Sequence, residues 1–256
     1  MSKNTSKIRL GLSGANGRMC TEIAHIARCN QSFEIAFGVD QTASENALRY
    51  PVFSCFQDIP NCDVIIDFSS PALTSKALEY AIERRVPIVV ATTGQTAENL
   101  DKIKEASGAV PVFFDSNTSL GNCLLLKLAS IASTFLDDDF DVEIVETHHR
   151  IKADAPSGTA LNLARAVQTA KRQSQGQEYT ICQGHAERRK PRQIGIHSLR
   201  GGTVVGKHEI QFLGDDERLT ITHEVENKSV FAHGALKAAA FILHKPNGMY
   251  KTEDLL

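Results

Sequence analysis

Apolar and polar positions alternate between two periods along the first half of the chain. IRLGLS (8–13) is a short strand pattern ending in a glycine turn, and MCTEIAHIA (19–27) repeats apolar residues at helical spacing. FEIAFGVD (33–40) predicts a second strand with Asp40 at its end. DVIIDFSS (63–70) predicts a third, nearly all apolar, with polar residues only where it stops. ALTSKALEYAIERR (72–85) predicts a helix and VPIVVATTG (86–94) another strand. TAENLDKIKEAS (96–107) predicts a helix with Thr96 as cap and Glu98 and Asn99 in its first turn, and VPVFFD (110–115) a further strand. Strands without alternation are buried on both faces, so the sheet is expected to be parallel. Repeated strand–helix units predict an open, doubly wound, Rossmann-like α/β domain over 1–116.

The pattern changes after about residue 116. SLGNCLLLKLASIASTFL (119–136) predicts a long helix, DVEIVETHH (141–149) alternates like a half-buried strand, and SGTALNLARAVQTAKRQ (157–173) predicts a helix capped by Ser157. QIGIHSLRG, VVGKHEIQFLG and RLTITHEVE are strand-like, separated by turns at GG (201–202) and GDDE (214–217). They read as antiparallel, with one face toward a helix layer. An α+β domain with a mixed or largely antiparallel sheet is therefore expected over 117–228. FAHGALKAAAFILHK (231–245) predicts one more helix, followed by a short tail.

Charge changes this picture little. With 28 basic and 30 acidic residues the net charge is -2, which gives no global pull toward nucleic acid or an anionic membrane. The local basic run AERRKPR (186–192) reads as an exposed loop. None of the six cysteines forms a CxxC pair, so reduced thiols are expected. MSKNTSKIRL has no apolar h-region, and the longest apolar runs fall far below the roughly 20 residues that span a bilayer. These features predict a soluble, cytoplasmic protein.

The first strand runs into GLSGANGRM, which contains Gly11, Gly14, Ala15, Asn16, Gly17, Arg18 and Met19. A tight glycine turn at a helix N-terminus suits a pyrophosphate. The spacing departs from a strict GxGxxG, but its setting is strand, loop, helix, then an acidic residue ending the next strand. Asp40 stands where a ribose-binding carboxylate is expected. A carboxylate there repels a 2′-phosphate, and Gln41 and Thr42 offer no positive charge; Arg18 is the nearby cation that offsets it. The cofactor expected is NADH or NADPH, with NADH favoured. Strand ends at Phe68-Ser69-Ser70 and Thr92-Thr93-Gly94 supply further candidates around the cofactor.

VETHHRIKADAPSGTAL (145–161) carries the densest chemistry. Adjacent strand residues point to opposite faces, so His148 and His149 are not expected to grip one metal together. No HxH, HxxxH or Cys/His cluster stands nearby, and no metal is expected. One histidine is left to face a site while the other packs inside. Lys152 suits a carboxylate or phosphate, and the amides of Gly158 and Thr159 open a helix at its positive end. Together these describe a site for a small acid with more than one anionic arm. An imidazole there is suited to proton transfer beside a hydride-transferring nicotinamide.

ETHHRIKADAPSGTAL resembles the signature of the 4-hydroxy-tetrahydrodipicolinate reductase (dihydrodipicolinate reductase) family. The resemblance runs nearly end to end, through GLSGANGRM, DVIIDFSSP, VVATTG, GGTVVGKHEIQFLGDDERLTITH and FAHGALKAAAFI. It implies NAD(P)H-dependent reduction of a cyclic dicarboxylate to tetrahydrodipicolinate in lysine and diaminopimelate biosynthesis. It places Gly11, Gly14 and Gly17 in the dinucleotide loop, Asp40 at the adenosine ribose, and Thr93 and Gly94 beside the nicotinamide. It makes His148 the proton donor, with His149 its neighbour at the substrate. Lys152 becomes a catalytic or substrate-holding residue, and Gly158 and Thr159 the carboxylate site. It further implies that 229–256 completes the nucleotide domain, that 117–228 binds substrate and mediates oligomerisation, and that the assembly is a homotetramer. Two positions depart from the family pattern. Gln41 stands where some relatives carry a basic residue, and NTSLGN (117–122) differs from the usual Asn-aromatic/Met-Ser form, so different hinge packing is expected. Competing readings are a nicotinamide dehydrogenase for another small dicarboxylate and a dinucleotide-sensing regulator without turnover.

Overall fold

The buried apolar runs of the first half become the parallel strands of one sheet, and the amphipathic segments between them become its covering helices. A computed structural model describes residues 6–42, 50–184 and 188–256. Positions 1–5 of the opening stretch, and positions 186 and 187 of the basic run, lie outside the described residues. In chain order come β1 (Ile8–Ser13), α1 (Arg18–Cys29), β2 (Phe33–Val39), β3 (Val52–Phe53) and β4 (Val64–Asp67). Then follow α2 (Pro71–Arg84), β5 (Ile88–Val90), α3 (Ala97–Ala109) and β6 (Pro111–Phe114). Thr96 caps α3 through a hydrogen bond from the Asn99 amide.

The chain then enters a separate unit, Gly121–Lys228, before returning to the first at Ser229. That second unit contains most of α4 (Leu120–Phe135), then β7 (Asp141–His148), α5 (Gly158–Gln175) and β8 (Thr180–Gln183). It ends with β9 (Gln193–Arg200), β10 (Gly206–Leu213) and β11 (Arg218–Val225). The returning chain forms α6 (Ser229–Ile242), β12 (Gly248–Tyr250) and a final 3₁₀ turn at Thr252–Leu255.

The first unit's seven strands are ordered β12-β6-β5-β4-β1-β2-β3, and every pair in it is parallel. One face packs Cys20, Ile23 and Ala27 of α1 with Ala235, Leu236 and Ala239 of α6 over Leu10, Leu12, Val64 and Ile66. The other packs Leu78 and Ala81 of α2 with Ile103 of α3 over Phe37, Ile65, Ile88 and Val90. Residues 10–12 and 64–66 thus serve both faces, as unalternating apolar strands require. The short tail of the sequence reading turns out to contribute β12 beside β6. Gly-Met-Tyr at the sheet edge is neither a buried apolar run nor a countable alternation, unlike the equally short but wholly apolar β5.

The stretch 117–119 is pinned inside this unit. The Thr118 hydroxyl donates to the Phe231 carbonyl at 2.7 Å, and the Thr252 hydroxyl to the Asn117 carbonyl at 3.1 Å. A Cβ at Gly234 would stand 1.9 Å from the Thr118 carbonyl oxygen, so α6 approaches this turn at a distance only glycine allows.

The second unit's sheet is ordered β11-β10-β7-β9-β8. It takes the mixed form that the sequence reading allowed. β10 is antiparallel to β7 and β11, but β9 runs parallel to both β7 and β8. After β7 the chain crosses through α5 rather than a hairpin, and a crossover returns strands in the same direction. The sheet is therefore mixed. Leu125 and Ala129 of α4 and Ala160, Leu163 and Val167 of α5 pack on Val142, Ile144, Ile194, Ile196, Ile210 and Phe212.

Candidate active site

In the first unit the candidate residues gather at the carboxyl ends of β1, β2, β4 and β5. Gly14 has φ +84°, and a Cβ there would lie 2.6 Å from the Phe68 carbonyl oxygen and 2.8 Å from Ser69 Cα. Conformation and close approach both demand glycine. The turn is tied inward: the Gly14 and Ala15 amides donate to the Val39 carbonyl at 2.8 and 3.1 Å, and the Gly17 amide to the Gly14 carbonyl at 2.9 Å. Asp40 accepts from the Asn16 amide at 2.9 Å and the Gln41 amide at 2.7 Å. It thus braces the glycine turn from the end of β2. Gly17 is the N-cap of α1, with no side-chain cap bond and no acidic residue in the first turn. The first-turn amides at Arg18 and Met19 have no acceptor within the helix, and the dipole is positive there, which fits an anionic dinucleotide.

Gly11 stands apart from that turn. It lies inside β1, paired with Phe37 and Ile65, and a Cβ there would meet Phe37 Cζ at 2.6 Å. Core packing accounts for this glycine. Met19 and Phe68 are half-buried against the α1–α6 core, while Arg18, Thr93 and Gly94 are exposed. Gly94 has φ +72° with open space around its Cβ position, so conformation alone selects glycine.

Thr92 is buried, and its hydroxyl is engaged by a residue the sequence reading left inside an apolar strand. Asp67, fully buried, accepts from Thr92 Oγ1 at 2.7 Å, from Thr74 Oγ1 at 2.6 Å and from Ser69 Oγ. The Ser69 amide in turn donates to Thr92 Oγ1 at 2.7 Å. Burial pushes the Asp67 carboxyl up from its ordinary value, against the pull of its hydroxyl donors. One side chain thereby fixes the ends of β4 and β5 and the start of α2. A charged residue inside VIID was the available signal.

In the second unit, β7 carries Val142, Ile144, Glu146 and His148 on its buried face. Glu146 is fully buried and holds a network together. Arg200 grips it bidentately, Nη1 to Oε2 at 2.8 Å and Nη2 to Oε1 at 2.7 Å. His148 Nδ1 lies 2.5 Å from Oε2, and the Ser157 amide donates to Oε1 at 3.1 Å. Burial opposes the Glu146 charge, but hydrogen bonds from Arg200, Ser198, His148 and the Ser157 amide outweigh it and hold the carboxyl at about 2. With Glu146 ionised, His148 donates through Nδ1, which leaves Nε2 outside that contact. Burial lowers the His148 pKa, while Glu146 raises it.

His208 stacks edge-on against His148 with ring centres 5.1 Å apart, and its Nε2 lies 2.9 Å from the Ser157 hydroxyl. Burial first, then the neighbouring His148, brings its pKa down to about 4. Ser157 also caps α5 by accepting from the Ala160 amide at 3.2 Å. Gly158 and Thr159 form the first turn of α5, Gly158 exposed and Thr159 half-buried. Lys152 reaches Asp154 at 2.7 and 2.8 Å, and the Asp154 carbonyl accepts from Arg200 Nη2 at 2.7 Å. His149 is half-buried, with its Nδ1 shielded and without a hydrogen-bond partner. Of the two histidines, His148 is the one locked in a polar network.

His148, Ser157 and the start of α5 are therefore brought together, with Lys152 joined through Asp154 and Arg200. The sequence reading missed Glu146, Arg200 and His208. Arg200 is 54 residues from Glu146, and only strand register joins them. Glu146 itself carried a signal: a carboxylate on the apolar face of an alternating strand needs a buried partner. Among the described residues, no group of three or more His, Cys, Asp or Glu side chains is arranged to hold a metal ion. No helix among them is long and apolar enough to cross a membrane.

Comparison with known proteins accords with this geometry. A family profile described as the N-terminus of dihydrodipicolinate reductase matches residues 8–118, and one described as its C-terminus matches 121–256. The chain is 42% identical over 253 residues to the 4-hydroxy-tetrahydrodipicolinate reductase of Caldanaerobacter subterraneus, covering 97% of this chain and 98% of that one. It is 40% identical over 241 residues to the same-named protein of Staphylococcus aureus, covering 93% and 97%. A dipicolinate-bound dihydrodipicolinate reductase from Paenisporosarcina sp. TG-14 shares the fold, with TM-score 0.81, 24% identity, and coverage of 98% and 100%. A doubly wound unit with a glycine turn, a mixed-sheet unit with a locked histidine, and matches over nearly the whole length converge: the chain belongs to the dihydrodipicolinate reductase family and is an NAD(P)H-dependent oxidoreductase.

Proposed function

We propose that the chain reduces 4-hydroxy-tetrahydrodipicolinate to tetrahydrodipicolinate in lysine and diaminopimelate biosynthesis, with His148 as proton donor. The observation that carries the role of His148 is the Glu146 contact at Nδ1, which leaves Nε2 to exchange a proton with a ligand. Loss of water from the hydroxylated ring gives a conjugated imine, whose reduction requires a hydride at carbon and a proton toward nitrogen. When bound, the nicotinamide supplies the hydride. His148 delivers the proton or stabilises the charge developing at nitrogen. Lys152 and the amides of Gly158 and Thr159 hold the carboxylates, and His149 lies beside them at the substrate.

Gly14–Met19 and Asp40 receive the dinucleotide, with Phe68, Thr92, Thr93 and Gly94 shaping its nicotinamide side. Gly11 supports this turn from within β1. Asp40, without a basic residue at Gln41 or Thr42, favours NADH while leaving NADPH usable. The working form is a homotetramer in the cytoplasm, assembled through the second unit's sheet. None of the six cysteines forms a disulfide, which fits a reducing compartment.

The test is absorbance at 340 nm with substrate made freshly from pyruvate and aspartate semialdehyde by the preceding synthase, supplied separately with NADH and NADPH. Substrate-dependent oxidation is expected, faster with NADH. H148Q is expected to lower kcat by about 100-fold or more with NADH affinity nearly unchanged. K152A is expected to raise substrate KM and lower kcat. No oxidation by a folded, dinucleotide-binding protein would point to another dicarboxylate, or to a regulator.

A further inference from the structure

Glu146 is fully buried, paired with a half-buried Arg200, on the face of β7 that also carries Val142, Ile144 and His148. Val142 and Ile144 precede Glu146 on that face, and an apolar residue at 146 would continue the core. Replacing a buried ion pair by packed apolar groups is often neutral or stabilising, so packing alone gives no reason to keep this one. Its contacts give a reason. Glu146 Oε2 meets His148 Nδ1 at 2.5 Å, and Oε1 receives the Ser157 amide at 3.1 Å, where α5 begins. Arg200 lies across both oxygens and also binds the Asp154 carbonyl, and the Asp154 side chain holds Lys152.

We propose that Glu146 is a positioning residue that fixes, through one carboxylate, both the tautomer of the proton-transfer imidazole and the placement of the anion-receiving start of α5. Two functions that must meet on one substrate are thereby set by one rigid group. Arg200 extends the same coupling to the Lys152 loop. This inference rests on the reading of His148 as proton donor.

The groups facing His148 are Glu146 on its own strand, Arg200 on β9, His208 on β10 with His223 of β11 paired beyond it, and Lys152 in the following loop. Glu146 alone among them raises the His148 pKa; burial, Lys152 and Arg200 lower it. Removing the Glu146 charge therefore shifts the acid form of His148 to lower pH.

The experiment has two arms. In the wild-type protein, long-range proton–nitrogen NMR of labelled histidine, with His148 assigned by its disappearance in H148Q, is expected to show the neutral ring protonated at Nδ1. A ring protonated at Nε2 would overturn the proposal without any variant having to fold. In E146Q, the pH above which kcat declines is expected to fall by about one unit or more, and substrate KM to rise. A purely structural carboxylate would lower kcat at every pH and leave the decline where it was; that outcome also overturns the proposal. If H148Q itself keeps its kcat, the proton-donor reading has failed, whatever the tautomer.

Discussion

The residues around His148 lose their contributions to stability in the same direction, as pH falls, but in different pH windows, and the windows separate them. His208 is held at about 4 when folded, below its ordinary 6.5, so the unfolded chain binds the extra proton first. Its contribution to stability is present above pH 6.5 and is lost as pH falls toward 4. Glu146, lowered from 4.5 to about 2, contributes above pH 4.5 and loses that contribution only as pH falls through 2. Urea unfolding across pH 7 to 3 is expected to show the histidine loss first. His208→Gln is expected to flatten the segment between 6.5 and 4, leaving the share of His148, whose pKa is also lowered. Gly206 makes a different prediction. A Cβ there would lie 3.1 Å from His148 Nε2, so Gly206→Ala crowds the nitrogen proposed to exchange the proton. A fall in kcat of about tenfold with little change in melting temperature is expected, measured by assay and calorimetry side by side. At this scale the sequence exposed what lies within one short segment: His148, Lys152 and the Ser157 cap. Arg200 and His208 were hidden because they meet Glu146 and Ser157 only through the register of β9 and β10.

Elements were legible where their period was long enough to count. The six α-helices among the described residues and most strands follow from apolar spacing, and the caps at Thr96 and Ser157 are where the cap chemistry put them. The missed β3, β8 and β12 are edge strands without a buried apolar run, whereas the equally short β5 and β6 lie inside the sheet and are apolar. Which strands pair in the second unit was hidden for another reason: alternation fixes which face is buried, not which neighbour a strand joins. The Asp67 cluster shows what joins elements once they are placed. Its carboxylate accepts three hydroxyl bonds, from Ser69, from Thr74 in α2 and from Thr92 after β5. Asp67→Asn replaces one acceptor oxygen by a donor facing hydroxyls that already donate. A loss of about 1–3 kcal/mol in urea unfolding is expected, together with a raised KM for the dinucleotide, because the same bonds hold the strand ends beside the glycine turn. For Gly14→Ala, positive φ and the nearby Phe68 carbonyl predict a weaker fold and weaker NADH binding together, read by thermal shift with and without NADH.

The whole molecule is two compact units, one of them discontinuous: up to Leu120 together with Ser229–Leu256, and Gly121–Lys228 between. Each has its own buried core, so denaturant unfolding is expected to depart from a single two-state transition, with fluorescence and circular dichroism midpoints that do not coincide. The change of pattern near residue 116 was legible. The return of the chain to the first sheet was not legible in periodicity, because a helix pattern carries no address.

That return sets an order in time. Leu10, Leu12, Val64, Ile66, Val89 and Phe113 share a core with Ala232, Ala235, Leu236 and Ala239, which are synthesised only after the entire second unit. At roughly 5–20 residues per second, the hundred or so residues between take about 5–20 s to emerge. Throughout that interval the growing chain carries a sheet face covered by α1 alone, without α6. The second unit, being contiguous, has every contact it needs before the first does. Its earlier completion leaves the half-covered sheet, rather than the histidine network, as the surface expected to be most exposed to aggregation during synthesis.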